Sequence, residues 1–185
     1  DNNHFGSTKP EFHRIKSITD QFEPGSTFKV VSTVSALYDG LISLNDEFNC
    51  ENGSFEYHTK KVTDHESYSM LTASQIIHHS SNIGIIKIMD QVGTKRLFSM
   101  SREFGFGSRT GINLNGEVSG KLNHYNDWSA VSLGMIAMGH EVGVTAIQLA
   151  SAYCALANGG YLLKPRIVKQ IMDESENIIF SEEPV

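Results

Sequence analysis

The stretch FEPGSTFKVVSTVSALYDG, residues 22–40, places Ser26 and Lys29 three residues apart, where a Pro-Gly turn runs into an apolar repeat. Pro24 and Gly25 break any helix that precedes them. After them, Phe28, Val31, Val34, Ala36 and Leu37 recur at the spacing of one buried helical face. The pattern predicts a helix from Ser26 to about Asp39, with Gly40 as its C-cap. Positions i and i+3 of a helix share a face, so the two side chains are neighbours. Taken singly, Ser26 is a helix cap and Lys29 a solvated surface residue. Taken together they can act as a nucleophile and its base, a coherent acyl-transfer device, although S-x-x-K alone is a short pattern that recurs by chance. A serine hydroxyl needs a base beside it, and a lysine becomes one when burial and positive potential lower its pKa. The helix N-terminus adds partial positive charge, and the Ser26 amide can supply half of an oxyanion hole.

A second constellation is HHSSNIG, residues 78–84, with Ser80 and Asn82 separated by Ser81. In a structural reading the hydroxyls bond back to the previous turn and Asn82 is a local cap. In a chemical reading Ser80 relays a proton beside Ser26 and Lys29, while Asn82 holds Lys29 and a substrate amide. The order S-x-x-K, about fifty residues, then S-x-N is far rarer than either piece.

Other elements follow from period and caps. Residues 1–20 are polar and turn-rich, and 41–70 read as loop with strand-like pieces around Phe48 and Phe55–His58. One helix is predicted from the Thr72 N-cap to Gly93, through Ile76, Ile77, Ile83, Ile86 and Met89. TKRLFSMSREFGFG is a short helix, residues 107–127 a Gly/Asn-rich loop, and SAVSLGMIAMG and TAIQLASAYCALANGG two more helices. YLLKPRIVKQIMD and NIIFSE read as a strand pair. Trp128, Met135 and Met138 read as packing residues, and Gly105, Gly107 and Gly111 as turn residues.

Composition excludes more than it proves. With 185 residues and 39% hydrophobic content the chain is the size of one domain with a real core. Net charge is −6 and its 15 basic residues are dispersed, so the electrostatic footprint of a nucleic-acid binder is missing. No apolar run is long enough to span a bilayer. Cys50 and Cys154 have no metal or redox spacing and are thiols or one disulfide. Eight histidines raise a metal reading through His78-His79 and Asp64-His65-Glu66. No H-E-x-x-H spacing supports it, His140-Glu141 lacks the second histidine, and adjacent histidines diverge around a helix.

FEPGSTFKVV, HHSSNIGIIKI, the segment from Gly116 to Gly160, and LKPRIVK together resemble a penicillin-binding protein transpeptidase domain of the monofunctional, high-molecular-mass class, from about Ile18 to Val168. Glu23 before Pro24 is similar to the cell-division branch. The resemblance implies an α+β fold: the predominantly helical lobe of the β-lactamase/transpeptidase-like fold, with short β elements and most of the central sheet missing. It implies Ser26 as acylated nucleophile, Lys29 as proton acceptor, and Ser80 and Asn82 as the S-x-N pair. Implied ligands are peptidoglycan stem peptides ending in D-Ala-D-Ala and β-lactam antibiotics, with no cofactor, no metal and no nucleic acid. Implied partners are a membrane glycan polymerase and division proteins, at the extracytoplasmic face of a bacterial inner membrane.

Two departures matter. The family's third motif, K-[ST]-G on a central strand, is absent, so residues 1–185 are expected to be a partial transpeptidase domain cut from a longer protein. That strand normally supplies the second oxyanion N–H and pairs with the substrate peptide. Losing one oxyanion donor costs roughly 2.7–4 kcal/mol of transition-state stabilisation, and losing the strand removes the surface for β-augmentation. The 185-residue chain alone is therefore expected to be inactive or nearly so. The family's frequent G-Q-G-x-x-V-T-P loop appears as GHEVGVTA, with His140, Glu141 and Ala146 substituted. A serine β-lactamase remains an alternative in which Glu117 would activate the deacylating water, and a β-lactam sensor domain would keep the same four site residues.

Overall fold

The computed structural model describes residues 6, 7, 9 and 13–181. Residues 1–5, 8 and 10–12 of the polar start read over 1–20 lie outside these; the described part from residue 13 onward carries one short α-helix, α1 (Lys16–Thr19). A 3-10 turn over Gly25–Phe28 leads directly into α2 (Lys29–Tyr38). The helix predicted from Ser26 thus begins as a tighter turn, and its α-helical part begins at Lys29. Gly40 and Leu41 close α2 by donating to the carbonyls of Leu37 and Ala36, the paired bonds of a Schellman motif.

Residues 41–72 hold more strand than the sequence suggests. The strands β1 (Glu47–Asn49), β2 (Ser54–Tyr57), β3 (Lys60–Thr63) and β4 (Met70–Thr72) form two antiparallel pairs, β1 with β4 and β2 with β3. β3 and β4 escape the sequence because each turns a single apolar residue inward, Val62 and Leu71. Alternation that short carries no signal.

The predicted helix from Thr72 to Gly93 is two helices, α3 (Ala73–His78) and α4 (Asn82–Val92), broken at His79–Ser81. Then come α5 (Thr94–Glu103), α6 (Ser132–Ala137) and α7 (Ala146–Ala157), all three as predicted. Thr72 and Thr145 each open a helix with a capping box completed by Gln75 and Gln148. The C-terminal strand pair is shorter than predicted, β5 (Gln170–Met172) with β6 (Ile178–Ser181). The fold is therefore α+β and mostly helical, with only two-stranded sheets among the described residues.

α4 is the spine of the core. Ile83, Ile85, Ile86, Ile88 and Met89 are fully buried, and α2 and α6 pack along it. Each such side chain contributes roughly 1.5–3 kcal/mol relative to exposure. The β2–β3 hairpin is fastened to α4 where the Tyr57 hydroxyl donates to Asp90 Oδ1 at 3.2 Å. α2 is fastened to α6 where Ser32 Oγ donates to the Ala137 carbonyl at 3.0 Å. Trp128 packs beside the core with its ring edge toward Phe98. Cys50 is buried, Cys154 is exposed, and both are free thiols.

Gly84 sets how closely α3 approaches α4. A Cβ there would lie 2.4 Å from Ile76 Cγ1 and 2.7 Å from its Cδ1. Gly84→Ala is expected to wedge the two helices apart and cost about 1–3 kcal/mol, the usual penalty of overpacking, measured by urea unfolding.

Candidate active site

The break between α3 and α4 is built by three local choices. Ser80 and Ser81 amides donate to the Ile77 and Ile76 carbonyls, which ends α3 with Ser80 at φ +55°. This left-handed position is normally glycine's, and a serine there costs about 1–2 kcal/mol. Ser81 then caps α4, its hydroxyl accepting from the Gly84 amide at 2.8 Å. Asp64, in the turn after β3, supplies the remaining acceptors. Its carboxylate accepts from Ser81 Oγ at 2.6 Å, from the Asn82 amide at 2.5 Å and from the Ile83 amide at 3.1 Å. A carboxylate at a helix N-terminus satisfies orphan donors and complements the helix dipole.

This break faces Lys29. The Lys29 side chain is 2% exposed. Its amine donates to Asn82 Oδ1 at 2.7 Å, to Ser80 Oγ at 3.0 Å and to the Ser80 carbonyl at 2.5 Å. Asn82 is oriented in turn, its Nδ2 donating to the Thr63 carbonyl at 2.9 Å. Burial lowers the Lys29 pKa to about 8, against the opposing pull of the Asp64 charge. Because the folded pKa lies below the ordinary lysine value, the fold binds fewer protons than the unfolded chain between about pH 8 and 10.5. The stability tied to this site is full above that window and is lost as pH falls through about 8.

Of the four residues predicted to converge, Lys29, Ser80 and Asn82 form one bonded cluster. Ser26 stands one turn before Lys29 on the 3-10 segment, exposed, with no hydrogen bond from its hydroxyl to another described residue. The turn carrying it is seated on the segment 139–144. The Gly25 amide donates to the Gly139 carbonyl at 3.1 Å, and Phe22 and Val144 exchange backbone bonds at 3.0 and 2.9 Å.

A family model described as the penicillin-binding protein transpeptidase domain matches residues 1–185. The chain belongs to the penicillin-binding protein transpeptidase family. It is 32% identical to penicillin-binding protein PbpB of Mycolicibacterium smegmatis over 91% of the chain, and 32% identical to the peptidoglycan D,D-transpeptidase FtsI of Escherichia coli over 85%. It covers 26% of each of those two relatives, so it spans about a quarter of their length. Among solved structures, apo penicillin-binding protein 3 of Mycobacterium tuberculosis superimposes with a TM-score of 0.86 at 27% identity, over 100% of this chain and 41% of that one. The same protein is also solved in complex with ampicillin. The transpeptidase domain of Burkholderia pseudomallei penicillin-binding protein 3 gives 0.82 at 28% identity, covering 90% of this chain and 50% of that one.

In the sequence Asp64 stands out only as one of three adjacent metal-ligand types, yet its carboxylate is committed to the start of α4. The signal available was the missing acceptor at a helix start that has Ser81 as its only local cap. Glu117, weighed as a deacylation base, is 7% exposed and accepts from the Thr110 amide, the Thr110 hydroxyl and the Gly111 amide. It pins the 108–118 loop and has no contact with the Lys29 cluster among the described residues.

The strained serine gives a paired test. Ser80→Ala and Ser80→Gly both remove the hydroxyl, but only glycine relieves the left-handed backbone. Ser80→Gly is expected to be more stable than Ser80→Ala by about 1 kcal/mol in urea unfolding.

Proposed function

We propose that the full-length protein is a serine-type peptidoglycan D,D-transpeptidase of the cell-division branch and that residues 1–185 are part of its transpeptidase domain. The observation that carries this reading is a lysine amine, buried and lowered to about pKa 8, bonded to Ser80 and Asn82 one turn after Ser26. A surface lysine would need none of these features, and a structural lysine would not need a serine one turn upstream.

Ser26 Oγ attacks the carbonyl of the penultimate D-Ala of a stem peptide, and its proton passes to the neutral Lys29 amine. Because the pKa is about one unit above neutral pH, about a tenth of the amine is unprotonated at pH 7. The Ser26 amide, at the start of its turn, stabilises the developing oxyanion. Ser80, bonded to the Lys29 amine, delivers the proton to the departing D-Ala nitrogen. An amine of a second stem peptide then attacks the Ser26 ester, forming the cross-linking amide and regenerating the hydroxyl. A β-lactam enters the same first step and leaves an ester that is not resolved; the similar mycobacterial protein is known in complex with the β-lactam ampicillin.

The remainder of the reading comes from the family: a K-[ST]-G strand outside this segment, an anchor in the bacterial inner membrane with the domain on its outer face, and a glycan polymerase with division proteins as partners. Among the described residues no helix is long and apolar enough to cross a membrane.

A fluorescent penicillin tests the proposal. The full-length protein is expected to be labelled stoichiometrically and Ser26→Ala to remain unlabelled, with the isolated 185-residue segment labelled slowly or not at all. The acylation rate is expected to rise with pH through about 8 as Lys29 loses its proton. Asp64→Asn, which removes the charge that holds this pKa up, is expected to move that midpoint downward. Full labelling of Ser26→Ala would remove Ser26 from the mechanism.

A further inference from the structure

The loop that departs from the family's usual pattern touches the Ser26 turn at one side chain. Glu23 lies two residues before Gly25, and His140 and Glu141 follow Gly139 directly. The Glu23 carboxylate takes both: Oε2 lies 2.9 Å from His140 Nδ1, and Oε1 accepts from the Glu141 amide at 2.9 Å. The two backbones meet between these bonds. A Cβ on Gly139 would fall 2.1 Å from the Gly25 carbonyl oxygen and 2.6 Å from its nitrogen, and Gly139 has φ +86°. Glu141 is itself held at φ +58°, a conformation disfavoured for a residue with a side chain.

We propose that Glu23 is a positioning residue for Ser26, with its carboxylate locking the Ser26 turn onto residues 139–141 and His140 serving as its partner in this chain's variant of the loop. The inference rests on Ser26 being the acylated residue. Three independent features converge on it: the two-pronged carboxylate contact, the side-chain-free contact at Gly25 and Gly139, and the left-handed backbone that points the Glu141 amide at Glu23. The groups facing the carboxylate are His140, whose bond is the main cause of its lowered pKa, then the Glu141 amide, and Lys121 at longer range. It therefore stays ionised and accepting. An exposed side-chain contact of this kind adds little to stability, so the consequence is geometric. A nucleophile has to be held within about 0.5 Å of its productive position, and displacement by about 1 Å can lower the rate by about 100-fold.

The experiment compares Glu23→Ala and Glu23→Gln in the full-length protein with two readouts. The first is amide hydrogen exchange at Gly25 and Glu141, with the α4 core amides as reference. The second is acylation by a fluorescent penicillin, resolved into binding and acylation constants. Glu23→Ala is expected to speed exchange at both amides at least about tenfold while α4 is unchanged, and to lower the acylation constant about tenfold or more with binding little altered. Glu23→Gln keeps an acceptor for the Glu141 amide and is expected to restore both readouts to within about threefold. Unchanged exchange in Glu23→Ala overturns the lock. Faster exchange with acylation within twofold of wild type overturns the positioning role, and so does a Gln variant as impaired as Ala. A Ser26→Ala control separates the two failures: if it still labels, the assignment of Ser26 is wrong, whatever the exchange shows.

Discussion

The site depends on one amine being taken out of water. Removing a lysine from solvent is unfavourable unless its protons find acceptors or it gives one up. Lys29 has three acceptors, all from the break between α3 and α4, and no alternative partner on its own helix. Much else follows from meeting that demand. α3 has to end early, Ser80 has to turn left-handed to present both its carbonyl and its hydroxyl, and Asn82 has to begin the next helix. The result is an amine whose pKa is set by burial on one side and by the Asp64 charge on the other, as the proposed role of Lys29 as a base requires.

Strain and compensation sit side by side here. The left-handed serine is unfavourable in isolation. The bonds made by Lys29 and the carboxylate cap at the head of α4 offset it, and the fully buried run from Ile83 to Met89 keeps α4 from shifting to relieve it. The same arrangement explains why α4, and not the sheets, forms the spine of this lobe. The helix that carries Asn82 has to be immovable relative to the helix that carries Lys29, and their shared apolar core makes it so. The Ser26 turn is fixed differently, by backbone contact with the 139–144 segment, so Lys29 and Ser26, the proposed base and nucleophile, are positioned by separate parts of the fold.

Much of this was legible in the residues because the informative patterns are local. The i, i+3 spacing of Ser26 and Lys29, the threonine cap at 72, the apolar period of α2 and the apolar character of α6 and α7 each lie within a turn or two of chain. What escaped was set by distant partners. The Thr72–Gly93 stretch reads as one helix because nothing within it forbids continuation. The break is made by Asp64, 17 residues before Ser81, and by a serine where a glycine would have announced the turn. The 3-10 start of α2 follows from the seating of Gly25 against Gly139, more than a hundred residues away. Strands β3 and β4 are too short to alternate visibly.

The most direct test of this account is the ionisation of Lys29 itself. With 13C-labelled lysine and Lys29→Arg for assignment, an NMR titration should show the Lys29 side chain with a midpoint near 8, well below the ordinary lysine value of about 10.4. A Lys29 midpoint at the ordinary value would contradict it, because the amine would then be solvated and not held in the Ser80–Asn82 cluster.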